Sequence, residues 1–226
     1  MNTQEHGSLY VVATPIGHLD DITFRAVNTL KMVTIIACED TRETKKLLDH
    51  YGIEGKKLLS YHGHSSDAQH AKIIQHLVEG EHVAIVSDRG TPAISDPGER
   101  LVRACVEHDI TIIPIPGASA LITALQASGV STASFKYLGF IPHKKGRQTM
   151  IQEIMDAQRT IVCYESPHRI LKTLEALQGS PKQLVIGREL TKTYEEFLRG
   201  TAQELLEQLS SRDKIKGEFV LIASPQ

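Results

Sequence analysis

Four acids, Glu39, Asp40, Asp88 and Glu165, stand where a short apolar run gives way to a turn. The runs are VTIIAC before Glu39-Asp40-Thr41-Arg42, VAIV before Ser87-Asp88-Arg89-Gly90-Thr91-Pro92, and TIVCY before Glu165-Ser166-Pro167-His168-Arg169. Carboxylates at the carboxyl ends of buried parallel strands gather on one edge of a sheet, the edge where α/β proteins bind ligands. A carboxylate there can accept a proton or face a cation. Asp40 reads first as a helix cap. Asp88 is not at a capping position and Glu165 precedes one, so both are freer to meet a ligand. Arg42, Lys144, Lys145, Arg147, His168, Arg169 and Lys192 fall in loops expected around the same edge. Their recurrence suggests a rim that contacts phosphates.

Other chemistries are poorly served. A dinucleotide fold needs G-x-G-x-x-G after its first strand, and Thr14-Pro15-Ile16-Gly17 stands there with a single glycine. No Walker sequence occurs. The 11 histidines show no metal-ligand spacing, so His62, His64, His70 and His76 read as solvated side chains and no metal is expected. Ser119 lacks a nucleophile elbow and reads as a helix N-cap. The net charge of −2 confines any polyanion partner to local basic patches. Cys38, Cys105 and Cys163 are far apart in apolar settings, as expected of reduced thiols in a cytoplasmic protein. Neither a signal peptide nor a run of membrane-spanning length is evident, so no membrane partner is expected.

The elements that must position these residues alternate. Strands are expected at 9–13, 33–38, 58–60, 83–86 and 111–115, with helices between them, which argues for a doubly wound parallel sheet. The helix opened by Asp96-Pro97-Gly98-Glu99 reads as capped by Asp96 with Pro97 at its first position. After Pro116-Gly117-Ala118-Ser119-Ala120 and a short helix, Gln126–Ser134 is rich in small residues and reads as a hinge region. The second half is expected to carry strands at 137–140, 160–164, 183–187 and 219–223, with 195–198 pairing antiparallel because its connection is too short for a crossover helix. Ser166 reads as an N-cap with Pro167 after it, and Thr201 with Glu204 as a capping box. The architecture expected is α/β in two domains, residues 1–115 and 116–226, with a cleft between them.

ATPIGHLDD, ACEDTR, SDRGTPAISDPG, PGASA, LGFIP, YESPHR, RELTK and KGEFV, in this order, closely resemble the tetrapyrrole-methylase superfamily. Within it they are similar to the branch that methylates a cytidine ribose 2′-oxygen in small-subunit (16S) ribosomal RNA. The resemblance runs from about Ser8 to Ala223. It implies a Rossmann-like N-terminal parallel sheet, a mixed C-terminal sheet, S-adenosyl-L-methionine held between the domains, a homodimer, and ribosomal RNA of the small subunit as partner. Carried over by position, Pro15, Asp88, Gly90, Thr91, Gly117, Ser119 and Ala120 would contact the cofactor, the loop around Asp88 taking its methionine part. Tyr164, Glu165, Glu189, Leu190 and Glu218 would hold its adenosine. Lys144, Lys145, Arg147 and Arg169 would meet RNA.

Two departures from the family pattern stand out. Arg89 replaces the usual alanine of the Ser-Asp-Ala-Gly-Thr-Pro loop, and a cation facing a sulfonium is unfavourable, so Arg89 is expected to point outward. Members of the branch often continue past the last strand into a helical extension, whereas this sequence ends at Gln226; an extension that grips the ribosome would affect substrate affinity and not the cofactor site. The expected chemistry is in-line methyl transfer, in which positioning matters most and a base aids the hydroxyl. Glu39, Asp40 or Glu165 could take the proton, and Arg42 or Lys192 could steady the developing alkoxide. A tetrapyrrole or protein methylase of the same superfamily, or a non-catalytic cofactor-sensing or RNA-binding module, are the rival readings.

Overall fold

The computed structural model describes residues 6–63, 65–96 and 98–225. His64, read as a solvated side chain, and Pro97, read as the first position of a helix, lie outside them. The chain divides into two compact units, the first running to Ser119 and the second starting at Ala120, so the Pro116–Ser119 loop falls with the first.

The first unit holds β1 (Leu9–Val12), α1 (Phe24–Met32), β2 (Ile35–Cys38), α2 (Thr41–His50), β3 (Lys57–Ser60), α3 (Asp67–Val78), β4 (Val83–Val86), α4 (Glu99–Glu107) and β5 (Ile112–Ile115). All neighbouring strands are parallel, in the order β3-β2-β4-β1-β5. Helices cover both faces, which is why β2 and β4 are apolar at every position. Ala26 and Leu30 of α1 and Leu48 of α2 pack with Val12, Ile36, Cys38, Ala84 and Val86 on one face. Ile73, Ile74 and Leu77 of α3 and Leu101, Ala104 and Cys105 of α4 pack with Leu9, Ile35, Ala37, Val83 and Ile85 on the other. Pro114 sits in β5 at the sheet's edge, where a missing N–H costs no ladder bond on the open side.

Local chemistry sets the helix starts. Asp40 caps α2 through the Arg42 N–H, and Ser66 forms a capping box with Gln69 on α3. Helix α1 opens at Phe24, because the Thr23 hydroxyl accepts from the Ala26 N–H and caps it. Val78 is exposed and does not join the apolar face of α3. The expected cap of α4 is a correction. Gly98, at φ +138°, is the N-cap, and no side chain caps that end, so Asp96 is left for another role.

The second unit holds α5 (Ala120–Gln126), β6 (Phe135–Phe140), α6 (Arg147–Asp156), β7 (Thr160–Glu165), α7 (Ile170–Ala176), β8 (Gln183–Arg188), β9 (Glu196–Gly200), α8 (Ala202–Ser210) and β10 (Phe219–Ser224). Its sheet runs β6-β7-β10-β8-β9; only β6 and β7 are parallel, so the sheet is mixed. The short link from β8 to β9 gives the antiparallel pair its length allows. Thr201 and Glu204 form the capping box of α8. Ser166 is not the cap of α7: Ser166–Arg169 form a turn and the helix opens at Ile170. The stretch read as a hinge is tied down, with Ser128 buried and Arg199 donating to the carbonyls of Ala127 and Ser128.

Candidate active site

Strands β1 and β4 are neighbours, yet the helix after β1 lies on one face of the sheet and the helix after β4 on the other. Their carboxyl ends therefore part around a crevice, the place where doubly wound sheets take ligands. Three loops are stitched together there. Thr14 and Gly90 exchange backbone hydrogen bonds, N–H to O at 2.9 and 3.1 Å. The Thr14 hydroxyl donates to the Ser87 carbonyl at 3.0 Å, the Ser87 hydroxyl to the Gly90 carbonyl at 3.0 Å, and the Thr91 hydroxyl to the Ala118 carbonyl at 3.0 Å. Close approach explains two glycines. Gly90 has φ +85°, and a Cβ on Gly117 would lie 2.9 Å from the Ala13 Cβ. The structure thus brings Pro15, Gly90, Thr91, Gly117 and Ser119 to one place; Pro15 is buried beneath the crevice loops.

Beside the crevice, at the carboxyl ends of β2, β3 and β4, an open pocket of about 910 Å³ is lined by Glu39, Asp40, Arg42, His62, Asp88 and Asp96 among others. Its wall is built by backbone contacts to carboxylates. Asp88 Oδ1 accepts the Asp40 N–H at 2.9 Å, which fixes the loop after β4 to the start of α2. Asp40 in turn accepts from the Arg42 N–H at 2.8 Å and from Arg42 Nη2 at 2.6 Å. Those Arg42 contacts hold the Asp40 carboxyl down to about 2. Burial, then the Asp88 charge, raises Glu39 above the usual carboxylate range. Asp96 goes further, to about 7, through burial first and the charges of Glu39 and Asp88 after it. Arg89 is exposed, as its neighbourhood demands.

Asp96 is the site residue that sequence reasoning missed. In one dimension Asp-Pro-Gly-Glu looks like a helix start capped by Asp96; in three, Gly98 is the N-cap and Asp96 lines the pocket. Ala93 and Ser95 of this loop have φ +68° and +60°, and Glu189 and Thr191 have +51° and +63°. Non-glycine residues in the left-handed region often mark loops shaped for a ligand, and these four lie in the two segments expected to hold one, while the fifth such residue among those described, Asp109, follows α4.

In the second unit the register aligns Glu165, Phe219 and Arg188 across the sheet. Tyr164, Glu189, Leu190 and Glu218 are therefore gathered at one end of it. The Leu121 N–H donates to the Tyr164 hydroxyl at 3.1 Å, and the Tyr164 ring meets Tyr137 and Phe140 edge-on. The Glu189 N–H donates to the Glu218 carbonyl, the Glu218 N–H donates back to Glu189 Oε1, and a Cβ on Gly217 would lie 2.5 Å from Glu189 Cγ.

Four side chains are held by partners that the sequence did not suggest. The Glu165 side chain turns inward: it is fully buried, bonded to Arg147, Arg169, Thr173 and the Ser166 N–H. Such a carboxylate has its lone pairs engaged and is unsuited to take a proton from a substrate. Arg147 is not a rim residue, because it is 8% exposed and reaches inward to Glu165. Arg169 is likewise drawn in, donating to the Ile141 carbonyl at 2.8 Å as well as to Glu165. Lys192 is clamped between Glu189 at 2.8 Å and Glu218 at 3.1 Å, with its side chain 20% exposed. Lys144 and Lys145 are exposed, as expected.

His70 and His76 are also less solvated than expected. His70 contacts the Tyr61 hydroxyl at 3.0 Å, and His76 lies 2.6 Å from Glu81. Among the described residues no group of three His, Cys, Asp or Glu is arranged to hold a metal ion, and no helix is long and apolar enough to cross a membrane. The three cysteines are buried and unpaired, and burial raises their thiols.

The chain is similar to proteins already known. A protein named ribosomal RNA small subunit methyltransferase I from Halalkalibacterium halodurans is 51% identical over 221 residues, covering 96% of this chain and 76% of the relative. One of the same name from Hydrogenobaculum sp. is 49% identical over 221 residues, covering 96% of both. Among solved structures, cobalt precorrin-4 methyltransferase superposes with TM-score 0.70 at 17% identity over 99% of this chain and 97% of the other. Uroporphyrin-III C-methyltransferase from Thermus thermophilus, complexed with S-adenyl homocysteine, does so with TM-score 0.65 at 14% identity over 96% and 97%. The profile of the Tetrapyrrole (Corrin/Porphyrin) Methylases matches residues 8–206, and with relatives at this identity the chain belongs to that family of methyltransferases.

Proposed function

We propose that this protein transfers a methyl group from S-adenosyl-L-methionine to the 2′-hydroxyl of a cytidine in small-subunit ribosomal RNA. The observation that carries the reading is the 51% identity, sustained over 221 residues, with a relative named for that ribosomal RNA. The site's electrostatics agree with it. Glu39, Asp40, Asp88 and Asp96 make the pocket acidic, which suits a cationic methyl donor and a neutral ribose and disfavours phosphate. RNA phosphates must then be met elsewhere, and Lys144 and Lys145 stand exposed on a loop of the second unit.

The crevice fits the cofactor. Gly90 and Gly117 let the crevice loops pack closely, since a Cβ on them would meet Ile16 and Ala13, and the Thr14–Gly90 bridge with the Thr91–Ala118 bond ties the loops together. When bound, S-adenosyl-L-methionine supplies an activated methyl group on a sulfonium that is already a good leaving group. What the chain contributes is orientation and proton handling. Gly90 and Thr91 would hold the methionine end, with Asp88 locking their loop onto α2. Arg42 is paired with Asp40 and exposed at the pocket, where it can steady the ribose. A homodimer acting on the small ribosomal subunit belongs to the same reading.

The test is direct. Purified protein, methyl-labelled cofactor and unmodified small ribosomal subunits should give labelled RNA whose methylated linkage resists alkali, with one cytidine mapped. Label that stays out of RNA, or that appears on a base, would overturn the proposal; light scattering reports the dimer separately.

A further inference from the structure

The proposed transfer requires an acceptor for the hydroxyl proton, and three of the four acids expected at strand ends are engaged. Asp40 is held by both the Arg42 backbone and its guanidinium. Asp88 receives the Asp40 N–H, and Glu165 is buried among Arg147, Arg169 and Thr173. Two carboxyls lining the pocket, Glu39 and Asp96, have no hydrogen bond or ion pair with the described residues. They differ in the chain that carries them. Glu39 ends β2, whereas Asp96 sits on the same loop as Gly90 and Thr91, so the group that would take the proton is positioned by the segment proposed to hold the methyl donor. Ser95, at φ +60°, gives the backbone turn just before Asp96, and Gly98, at φ +138°, the turn after it.

We propose that Asp96 is the residue that accepts the ribose hydroxyl proton, an inference that rests on the reading of the site as a 2′-O-methyltransferase. The ribose oxygen forms its bond to the methyl carbon as the sulfur–carbon bond breaks. The electron pair of that bond stays on sulfur and cancels its positive charge, and the hydroxyl proton passes to the Asp96 carboxylate, leaving a neutral acid. The charged groups around the pocket are Glu39 after β2, Asp40 and Arg42 at the start of α2, His62 after β3, and Asp88 after β4. The two acids nearest in influence, Glu39 and Asp88, together with burial, bring Asp96 to about 7, where a base is half ionised at neutral pH and still basic enough to take the proton.

The experiment is single-turnover methylation of small ribosomal subunits by the intact protein across the neutral pH range, with Asp96→Asn, Asp96→Glu and Glu39→Gln beside wild type. The wild-type rate should rise with pH to a plateau through one ionisation near 7. Asp96→Asn should lose that rise and fall by about 100-fold, the usual weight of a general base. Its binding of S-adenosyl homocysteine and of the subunit should stay within the wild-type range, which a merely structural residue would not allow. Asp96→Glu should recover part of the rate with a displaced pH limb. A wild-type protein that labels no RNA overturns the functional reading and this inference with it. Labelled RNA at a wild-type rate from Asp96→Asn, or loss of the limb in Glu39→Gln alone, overturns the assignment to Asp96 and leaves the reading intact. Should Asp96→Asn not fold, a wild-type single-turnover rate that is flat with pH is sufficient to overturn it.

Discussion

Arg147 Nη1 lies 3.2 Å from Glu165 Oε2, and Thr173 bridges the pair: Arg147 Nη2 donates to its hydroxyl at 2.7 Å and that hydroxyl donates to Glu165 Oε2 at 2.7 Å. Arg169 completes the set from the other carboxylate oxygen at 2.9 Å. Both motifs that supply these residues, the basic turn and YESPHR, look from the sequence like surface for RNA, and both send their central charges inward.

Arg147→Met should therefore be destabilising. Removing one partner of a buried, hydrogen-bonded pair costs about 3–5 kcal/mol, and the surviving Arg169 contact places this variant toward the lower value. The measurement is denaturant unfolding, and a loss below about 1 kcal/mol would place the network among ordinary surface pairs. Where the variant remains folded, the salt dependence of RNA binding should match wild type.

How far the sequence revealed these relationships depended on their range. Strand β4 was readable to the residue, because Val83–Val86 is apolar throughout and bounded by polar turns. The capping boxes of Ser66 with Gln69 and Thr201 with Glu204 were readable because both partners lie within one turn. Charge pairing across 18 residues, as between Arg147 and Glu165, leaves no periodic trace, so an inward Arg looks like an outward one. Asp96 failed for a related reason. Whether Asp-Pro-Gly starts a helix or precedes its start turns on the φ of Gly98, +138° here with Ile85 and Ala93 close enough to crowd any Cβ, and neither is visible in the sequence.

Gly90→Ala should strain the loop and loosen the cradle. A side chain at φ +85° costs about 1 kcal/mol, and the added Cβ would meet Ile16 Cγ2 at 3.3 Å. The expected result is a modest fall in melting temperature with weaker binding of S-adenosyl homocysteine by calorimetric titration. Gly52→Ala supplies the control, since Gly52 has φ +61° with nothing within 4 Å of a Cβ. Equal effects of the two variants on ligand affinity would show that Gly90 contributes backbone strain alone.

Lys144 and Lys145 can be tested apart from Arg147. Replacing both by Gln removes two exposed cations while leaving the buried network in place. Each lost phosphate contact should lower the slope of log affinity against log salt by roughly one unit, so the pair should lower it by about two. Stability and cofactor affinity should be unaltered. An unchanged slope in filter binding at several salt concentrations would mean that RNA is met by another surface.

Asp96 also makes a prediction that needs no substrate. Its carboxyl titrates near 7 in the folded chain and near 3.8 when unfolded, because burial and the charges of Glu39 and Asp88 resist ionisation. The folded state thus binds more protons than the unfolded state between those values, and linkage makes stability fall as pH rises through that window. Below about pH 4 both states hold the proton and Asp96 contributes no penalty; above about pH 7 the penalty is complete. Asp96→Asn has no such group. It should melt higher than wild type at pH 8, with the advantage shrinking steadily on acidification and vanishing near pH 4. Other carboxylates, Asp40 among them, are held low and lose their own stabilising contribution as pH falls, so the comparison must be the difference between variant and wild type at each pH. A difference that is constant from pH 4 to 8 would show that the Asp96 carboxyl is ionised throughout in the folded protein.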